Sequence, residues 1–454
     1  MKVNPLMFRE YDIRGKVDQD LTVEVAEAIG KAYGTMVKRT GGKKVVSGRD
    51  GRLSGPKLQE ALIKGILSTG LDVVDIGVTP TPVMYFSLFK LEGIDGGIQV
   101  TGSHNPPEFN GFKICVGKET IYGPKIQELR ELIEKEDFES GSGEKTSYDI
   151  LPTYLNFLKE NINVKKPLKI VIDCGNGVTA LTAPFAFKDQ GCEVTSLYCE
   201  VDGTFPNHFP DPTVAENIKD LRAKVLEIGA DFGVGYDGDG DRIGVIDDKG
   251  NVLWGDQLLI IFARDILQKH PGATIIGEVK CSQVMYDEIA RLGGKPIMWK
   301  TGHSLIKNKM KEEKALLAGE MSGHIFFADR FFGFDDAVYA SLRLAEIVAS
   351  ADTPLSEMLK DLPKMVSTPE IRVECPDEKK FEIVRRLTEK LKAEGLNVID
   401  IDGARVIFED GWGLVRASNT QPVLVLRFEA KDEKRLAEIR RFIEEKLEQV
   451  KQEV

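Results

Sequence analysis

The sequence predicts three related α/β domains with mixed, mainly parallel sheets, followed by a C-terminal α+β domain. Two patterns support this fold class. Up to about residue 365, short apolar segments alternate with helix-length segments, which is typical of parallel sheets covered by helices. Beyond that point, strand-like segments follow one another without helices between them, which indicates an antiparallel sheet. A chain of 454 residues is also too long for one core.

The first α/β domain is predicted over residues 1–148. Apolar residues at helical spacing predict helices at 22–38, 55–68 and 83–89. Short apolar segments predict strands at 44–50, 72–77 and 97–100. The last of these strands leads directly into a loop that carries Ser103.

The second and third α/β domains, predicted over 149–250 and 251–365, repeat this plan. The second has predicted strands at 169–173, 193–197 and 231–235, with a helix at 218–228. The third has predicted strands at 273–278, 295–299 and 315–318. The last strand of each domain enters a loop rich in small and polar residues. Since ligands bind at the carboxyl ends of parallel strands, three such loops could line one cleft.

The fourth domain is predicted over residues 366–454. Its predicted strands are 370–375, 398–401, 404–408, 412–415 and 423–428, and its predicted helices are 377–393 and 432–450. In the first of these helices, four apolar side chains share one face: Phe381, Val384, Leu387 and Leu391. That spacing predicts an amphipathic helix.

Composition and charge exclude several classes of protein. The net charge of −11 argues against a nucleic-acid partner, which requires a basic face. The N-terminus has no apolar core of a signal peptide, and no apolar segment reaches the roughly 18 residues of a membrane span. The six cysteines are scattered without a Cys-x-x-Cys pair, which favours reduced thiols in a cytoplasmic protein. A single disulfide remains an alternative.

The loop Thr101-Gly102-Ser103-His104-Asn105-Pro106-Pro107 places a hydroxyl at the end of a strand. The two prolines prevent a helix and stiffen the loop. Ser103 could therefore face a ligand, or it could be an ordinary turn residue.

The segment DGDGDR contains three carboxylates at alternate positions, Asp237, Asp239 and Asp241, followed by Arg242. With glycines between them, these side chains can surround one hard cation, and Mg²⁺ fits because it keeps coordination sites for phosphate oxygens. An EF-hand is disfavoured, because the flanking segments resemble strands rather than helices. A phosphatase with an aspartate nucleophile and an acidic hairpin turn are the remaining alternatives.

Two further loops carry ligand-binding chemistry. Arg416, Ser418, Asn419 and Thr420 combine one guanidinium with short hydrogen-bonding side chains, which suits a phosphate dianion. In the segment GEMSGH, Glu320 offers a carboxylate and Ser322 a hydroxyl, which suit sugar hydroxyls. Each of these loops taken alone could also be a simple turn.

Taken together and in this order, the motifs closely resemble those of the α-D-phosphohexomutase superfamily. The resemblance covers nearly the whole chain and rests on FREYDIRG, SGRDGRLSG, TGSHNPPEFNGFK, DCGNG, PNHFPDP, DGDGDR, KTGHSLIK, GEMSGH and RASNTQP. GEMSGH and KTGHSLIK are most similar to the phosphomannomutase/phosphoglucomutase branch. Phosphoglucosamine mutases usually carry Gln at the position of Met321, so that activity is the nearest alternative.

The resemblance implies four domains around a central cleft, each contributing one loop. It implies a phosphoserine at Ser103, and Mg²⁺ held by its phosphoryl group with Asp237, Asp239 and Asp241. Glu320 and Ser322 would bind sugar hydroxyls, and the loop from Arg416 to Thr420 the distal phosphate. Further positions match residues that line the family's active site: Tyr11, Arg14, His104, Lys113, Arg242, Lys280 and His303. His324 lies in the sugar loop and is a further candidate for substrate binding.

The implied reaction interconverts hexose 1-phosphate and hexose 6-phosphate, for mannose, glucose or both. Phospho-Ser103 would form a hexose 1,6-bisphosphate, which would also act as the activator. Lys113 and His303 are alternative candidates for the general acid or base. A metal-dependent sugar-phosphate phosphatase remains a more distant alternative. The expected partners are small sugar phosphates rather than nucleic acid or membranes, and the chain is expected to be a monomer or small homo-oligomer.

Overall fold

The computed structural model describes every residue from Met1 to Val454 and confirms the predicted fold class. Each of the first three domains contains a mixed sheet covered by helices, and the fourth contains an antiparallel sheet packed against two helices. No helix combines the length and the apolar character needed to cross a bilayer.

The first domain contains a seven-stranded sheet in the order β1-β5-β4-β2-β3-β7, with β6 paired to β5. Its strands are β1 Ile13–Lys16, β2 Lys44–Arg49, β3 Asp72–Val78, β4 Gly96–Val100, β5 Phe109–Val116, β6 Glu119–Thr120 and β7 Lys145–Ser147. Its helices are α1 Val23–Arg39, α2 Gly55–Leu67, α3 Thr81–Lys90 and α4 Pro124–Lys135. Strands β2, β3 and β4 are parallel, whereas β5 returns antiparallel to β4.

The second domain has a five-stranded sheet in the order β12-β11-β10-β8-β9. Its elements are α5 Leu151–Asn161, β8 Lys169–Asp173, α6 Ala183–Asp189, β9 Glu193–Leu197, α7 Lys219–Ile228, β10 Phe232–Tyr236, β11 Ile243–Asp247 and β12 Val252–Leu253. Strand β10 is parallel to β8, and β11 returns antiparallel to β10.

The third domain has a five-stranded sheet in the order β14-β13-β15-β16-β17. Its elements are α8 Gly255–Lys269, β13 Thr274–Glu278, α9 Gln283–Arg291, β14 Lys295–Trp299, α10 His303–Glu313, β15 Leu317–Gly319, β16 Ile325–Phe327, β17 Phe334–Asp335 and α11 Ala337–Ser350. Strand β15 is parallel to β13, and β16 returns antiparallel to β15.

The fourth domain has a six-stranded antiparallel sheet in the order β18-β23-β22-β21-β20, with β19 paired to β23. Its elements are β18 Val366–Ser367, β19 Ile371–Glu374, α12 Asp377–Ala393, β20 Asn397–Ile399, β21 Ala404–Phe408, β22 Gly411–Ala417, β23 Val423–Ala430 and α13 Glu433–Glu453. The core of this domain is separate, whereas one large core cluster joins residues of the first three domains.

Each of the four candidate loops connects two adjacent antiparallel strands of its sheet. The loops at 101–108, 237–242 and 320–324 each connect a strand that has a parallel partner to a strand that returns antiparallel. The loop at 418–422 connects two antiparallel strands of the fourth domain, β22 and β23. Such a loop lies at the end of its sheet, so each domain presents one loop to its neighbours.

The structure contains several elements without a predicted counterpart, among them α4, α8 and α11, and α12 and β5 show why local patterns fall short. Phe381 lies on the solvent side of α12 with 56% of its surface exposed, whereas Val384, Leu387 and Leu391 are buried. The buried face of α12 is completed by Ile383 instead. Strand β5 was not predicted, because polar Asn110 and Lys113 interrupt its apolar pattern although both are buried in the structure.

A buried arginine connects the fourth domain to the third. The guanidinium of Arg405, on β21, donates to the carbonyl oxygens of Val279 at 2.6 Å and Cys281 at 2.8 Å. It also stacks on the ring of Trp412, 3.8 Å from the ring centroid. Arg405 is fully buried, so its hydrogen bonds are shielded from water.

We expect Arg405→Met to weaken this contact by on the order of 3 kcal/mol, because two buried carbonyl groups lose their donor. Limited proteolysis of the linker between α11 and β18 and thermal unfolding would measure the loss. Arg385→Met is the matched control, since Arg385 is exposed on α12 and binds only neighbouring glutamates. Equal protease resistance of the two variants would contradict the role of Arg405.

Candidate active site

The loop that carries Ser103 is held in shape by two charged residues of the first domain. Asp50 Oδ2 accepts hydrogen bonds from Thr101 Oγ1 at 2.8 Å and from the Gly102 amide at 3.0 Å. Arg52 donates to several carbonyl groups of the loop, including that of Ser103 at 2.8 Å. Ser103 itself has a φ of +50°, a conformation that is costly for a residue with a side chain. The loop is therefore built to hold one strained serine.

The Ser103 hydroxyl points at the first carboxylate of the acidic loop. Ser103 Oγ donates to Asp237 Oδ2 at 3.0 Å, and both residues are buried. The other oxygen, Asp237 Oδ1, accepts the backbone amides of Gly240, Asp241 and Arg242 at 3.0–3.1 Å. These bonds curl the loop so that its carboxylates converge.

The three carboxylates form a cluster with the geometry of a cation site. One oxygen each of Asp237, Asp239 and Asp241 lies within 4.8 Å of the others, and all three residues are buried. Burial and the neighbouring charges of Asp241 and Asp239 raise the pKa of Asp237 well above its usual value. Asp239 Oδ1 and Asp241 Oδ1 have no hydrogen-bond partner. Unpaired buried oxygens are costly, so the residues present fit a bound cation.

Lysine and threonine from the first domain complete this cluster. Lys113, on β5, forms ion pairs with Asp241 Oδ2 and, at 3.5 Å, with Asp239 Oδ2. Burial opposes its charge, but the carboxylates of Asp239 and Asp241 outweigh that effect and raise the pKa of Lys113. Thr81 Oγ1 donates to Asp239 Oδ2 at 2.5 Å. The first and second domains thus meet at the acidic loop.

The sugar-loop candidates connect the third domain to the same cluster. Glu320 Oε1 accepts the Gly302 amide at 2.7 Å, and Glu320 Oε2 lies 3.0 Å from His324 Nδ1. His324 Nε2 lies 3.4 Å from Asp241 Oδ1. Burial disfavours the charged imidazole, but Asp241 and Glu320 outweigh it and raise the pKa of His324 to about 9. Burial likewise opposes ionisation of Glu320, yet the His324 contact lowers the pKa of Glu320 to about 2.

His303 lies at the N-terminus of α10, between the first and third domains. Its Nε2 is 3.2 Å from Asp12 Oδ1, and its Nδ1 is 3.2 Å from Lys307 Nζ. Burial and the charge of Lys307 lower the pKa of His303. Since Lys307 can only donate, His303 Nδ1 accepts and His303 Nε2 carries the proton toward Asp12.

Arg14 and His104 flank the serine loop. Arg14 donates to the Thr101 carbonyl at 2.7 Å and pairs with Asp12 at 3.2 Å. His104 Nδ1 lies 3.1 Å from Asp211 Oδ2. Burial and the charge of Arg242 lower the pKa of His104 to about 4, although Asp211 opposes the shift.

The loop of the fourth domain contains one buried donor without a partner. Arg416 Nε donates to Asp402 at 3.0 Å, while Arg416 Nη2 is buried without a partner. Ser418 Oγ accepts the amides of Thr420 and Gln421 at 3.3 and 3.2 Å, which folds the loop. These features suit an anion contributed from outside the chain.

Tyr11 joins the fourth loop to the rest of the site. Tyr11 Oη donates to the Thr301 carbonyl at 2.5 Å and accepts a hydrogen bond from Asn419 Nδ2. Lys280 lies nearby, paired at 3.1 Å with Glu370 of the fourth domain. The structure therefore brings together predicted residues from all four domains.

Several residues of this site were not identified from the sequence. Asp12, Asp50, Arg52, Thr81, Lys307 and Asp335 all orient predicted residues or their loops. Asp50 and Arg52 could have been found in the motif SGRDGRLSG, because both lie just after the buried strand β2. Nothing local distinguishes Thr81, Lys307 or Asp335, because their partners lie in other segments.

Four family models match successive parts of the chain. They are described as phosphoglucomutase/phosphomannomutase α/β/α domain I at residues 5–140, domain II at 152–250, domain III at 254–366, and the C-terminal domain at 370–446. Together these matches cover nearly the whole sequence.

Curated relatives match over nearly their whole length. The phosphomannomutase/phosphoglucomutase of Pseudomonas aeruginosa is 50% identical over 444 residues, covering 98% of this chain and 96% of the relative. The phosphoglucomutase of Neisseria meningitidis is 46% identical over 428 residues, with 93% of each chain covered. A crystal structure of a phosphoglucomutase/phosphomannomutase family protein from Burkholderia thailandensis is 45% identical. It superposes with a TM-score of 0.94, covering 99% of this chain and 98% of the other.

Proposed function

The chain belongs to the phosphoglucomutase/phosphomannomutase family, and we propose that it interconverts the 1- and 6-phosphates of mannose and glucose through phospho-Ser103. One observation carries this proposal. The hydroxyl of Ser103 donates to the first carboxylate of a buried acidic triad that adjoins the sugar-loop residues of the third domain. A phosphoryl carrier, a cation site and a sugar site thus share one cleft.

The family depends on Mg²⁺ in general, and the acidic triad fits that ion. We propose that Asp237, Asp239 and Asp241 hold it together with the phosphoryl oxygens on Ser103. When bound, Mg²⁺ supplies positive charge that offsets the charge on the transferring phosphoryl group.

In the proposed reaction, the phosphoryl group moves from Ser103 Oγ to the free hydroxyl of the sugar phosphate. The Ser103 O–P bond breaks, and Oγ keeps the electron pair and takes up a proton. The sugar oxygen forms the new O–P bond and gives its proton to a protein base. The resulting hexose 1,6-bisphosphate then reorients in the cleft, so that its other phosphoryl group is transferred back to Ser103. The same bisphosphate, supplied from outside, would restore phospho-Ser103 and act as the activator.

Phosphoryl transfer depends mainly on positioning and charge neutralisation, and the chain supplies both. Arg242 makes no side-chain hydrogen bond within the protein, and its Nε is buried, so we propose that it binds the transferring group. Lys113 is held as an ammonium by the triad, which favours a role in neutralising charge. Arg14 and His104, beside the serine loop, would orient the same phosphoryl group.

The sugar phosphate would contact two loops, one binding the sugar hydroxyls and the other binding the phosphate that does not react. Glu320 and Ser322 would bind sugar hydroxyl groups that occupy similar positions in both orientations of the sugar. The distal phosphate would be bound by Arg416, Ser418, Asn419 and Thr420, with Lys280 beside them. The unpaired Nη2 of Arg416 supports this assignment.

The group that exchanges a proton with the substrate hydroxyl is considered from the hydrogen-bond partners of the three candidate side chains. His303 has both ring nitrogens occupied, by Lys307 and by Asp12, and Lys113 is tied to two carboxylates. His324 presents Nε2 to Asp241 of the triad at 3.4 Å and Nδ1 to Glu320 and Ser322 of the sugar loop. We therefore propose His324, together with His303 and Lys113, as candidates for the group that exchanges a proton with the substrate hydroxyl.

Water must be excluded while phospho-Ser103 exists, and the contacts of Tyr11 support closure of the fourth domain. We expect Tyr11→Phe to raise KM about fivefold to tenfold with a smaller effect on kcat, because one hydrogen-bonded link to Thr301 and Asn419 is lost. Steady-state kinetics with glucose 1-phosphate measures this change.

Tyr148→Phe serves as the matched control for Tyr11, because the hydroxyl of Tyr148 is exposed and contacts only Thr153. A fall in kcat at constant KM in the Tyr11 variant would assign Tyr11 to chemistry rather than to closure.

The experiment that tests the function compares mannose, glucose and glucosamine 1-phosphates as substrates. Each is assayed with Mg²⁺ and catalytic bisphosphate while free phosphate is monitored. Conversion of mannose and glucose phosphates without phosphate release supports the proposal. Preference for glucosamine 1-phosphate would assign the chain to phosphoglucosamine mutases, and stoichiometric phosphate release would make it a phosphatase.

We also propose a cytoplasmic location in which the six cysteines are reduced. Cys174 and Cys199, whose Sγ atoms lie 2.6 Å apart, are the pair that the alternative of a single disulfide would join. The proposed partners are small sugar phosphates, with no nucleic acid or membrane, and the functional unit is a monomer or small homo-oligomer.

A further inference from the structure

A second group of metal-binding side chains adjoins the acidic triad. Asp241 and Asp335 are both fully buried, and each has one oxygen paired with a lysine. Asp241 Oδ2 pairs with Lys113, and Asp335 Oδ1 pairs with Lys307 at 3.0 Å. The remaining oxygens, Asp241 Oδ1 and Asp335 Oδ2, have no hydrogen-bond partner. Both carboxylates are therefore held rigidly with one free oxygen each.

The two free oxygens face the same imidazole nitrogen. His324 Nε2 lies 3.4 Å from Asp241 Oδ1 and 3.9 Å from Asp335 Oδ2. The orientation of the ring is fixed from its other side, where Ser322 Oγ and Glu320 Oε2 lie 2.9 and 3.0 Å from His324 Nδ1. The distances to Nε2 exceed those of good hydrogen bonds, so a proton there satisfies neither oxygen well.

The spacing suits a small divalent cation. The three donor atoms lie within 4.8 Å of one another. An ion about 2.0–2.2 Å from each nitrogen or oxygen ligand holds such donors roughly 3–4 Å apart. An imidazole with two carboxylates favours Zn²⁺, Co²⁺ or Ni²⁺ over Mg²⁺, which prefers oxygen ligands. This donor set therefore differs in kind from the three carboxylates next to Ser103.

We propose that Asp241, Asp335 and His324 form a second cation site, selective for ions of the Zn²⁺ type. It shares Asp241 with the Mg²⁺ site, and binding replaces the proton on His324 Nε2, which leaves to the buffer. Because the proposed function uses His324 in the cleft, occupancy by Zn²⁺ inhibits the mutase even when Mg²⁺ is saturating. The inhibition rests on the proposed function, whereas the binding itself does not.

The test counts Zn²⁺ bound to the full-length, metal-stripped protein by equilibrium dialysis and elemental analysis. We expect two Zn²⁺ per chain for the parent protein, one in each site. Asp335→Asn removes a ligand of the second site alone. We expect this variant to bind the Zn²⁺ ion of the second site at least tenfold more weakly. Asp336→Asn is the matched control, because both oxygens of this adjacent buried carboxylate accept hydrogen bonds, from Tyr154 and from the backbone of Tyr339, and it is not among the three donors of the second site.

His324→Gln provides a second variant should Asp335→Asn fold poorly, and circular dichroism checks the fold of each. The proposal would be overturned if the parent protein bound one Zn²⁺ per chain. It would also be overturned if Asp335→Asn and His324→Gln both bound two Zn²⁺ as tightly as the parent. In either case the cluster would be only an ion pair between His324 and its carboxylates. X-ray absorption at the zinc edge adds a direct readout, since one imidazole ligand is expected in the parent and none in His324→Gln.

Inhibition is measured separately, by adding Zn²⁺ to the Mg²⁺-saturated enzyme. Weaker inhibition of Asp335→Asn than of Asp336→Asn, each relative to its own uninhibited rate, supports the shared role of His324. A protein that binds two Zn²⁺ but lacks mutase activity would refute the proposed function and leave the second site standing.

Discussion

Ser103→Ala is expected to lower mutase turnover by about four orders of magnitude or more, because no oxygen remains to carry the phosphoryl group. Alanine keeps Cβ, so the strained φ of +50° is unchanged and the fold should be retained. Turnover of mannose 1-phosphate, together with mass spectrometry for a phosphorylated loop peptide, measures the effect. Near-normal turnover would show that Ser103 is not the carrier.

Two further variants separate catalysis from stability at this loop. Ser103→Gly should be equally inactive. Its free energy of unfolding should lie within about 1 kcal/mol of that of the parent, because glycine relieves the strain of the positive φ but increases the entropy of the unfolded chain. Ser68→Ala is the matched control, because that hydroxyl bonds only the Gly65 carbonyl at the end of α2. Ser68→Ala should keep full activity.

Asp239→Asn is expected to reduce kcat by about two to three orders of magnitude, because the triad loses one of its three charges for Mg²⁺. The same change should abolish most of the rise in melting temperature that Mg²⁺ gives the parent, since a ligand stabilises only the state that binds it. Scanning calorimetry with and without Mg²⁺ measures this second effect without any turnover.

Asp248→Asn is the control for the triad variant. Asp248 follows β11 and accepts hydrogen bonds from Ser356, away from the cleft. This variant should retain both the activity and the Mg²⁺-induced shift. An unchanged shift in Asp239→Asn would mean that the cation binds elsewhere.

Much of the fold was predictable because its signals are local. The strands 169–173, 193–197 and 295–299 were predicted with the bounds that the structure has, since a short apolar segment between polar turns admits few alternatives. The helix 377–393 was also correct in its bounds, but its pattern did not distinguish exposed Phe381 from its buried neighbours. Periodicity shows that a helix has an apolar face, and packing decides how wide that face is.

The candidate site was predictable only in part. Ser103, the acidic triad and the two binding loops follow strands, so their position at the sheet ends could be expected from sequence. Strand β5 was missed because its polar residues are buried by long-range contacts. Lys113 owes its position beside Asp241 to that strand and to the packing of two domains.

The sequence by itself determined the kind of many elements, the order of the domains and the loops that carry chemistry, because these depend on neighbouring residues. Only the tertiary structure decided which loops meet. Tyr11 lies between Thr301 and Asn419, and Asp241 lies between Lys113 and His324, although these partners are far apart in the chain. Such contacts depend on how four domains pack, and packing is set by surfaces that no local pattern encodes.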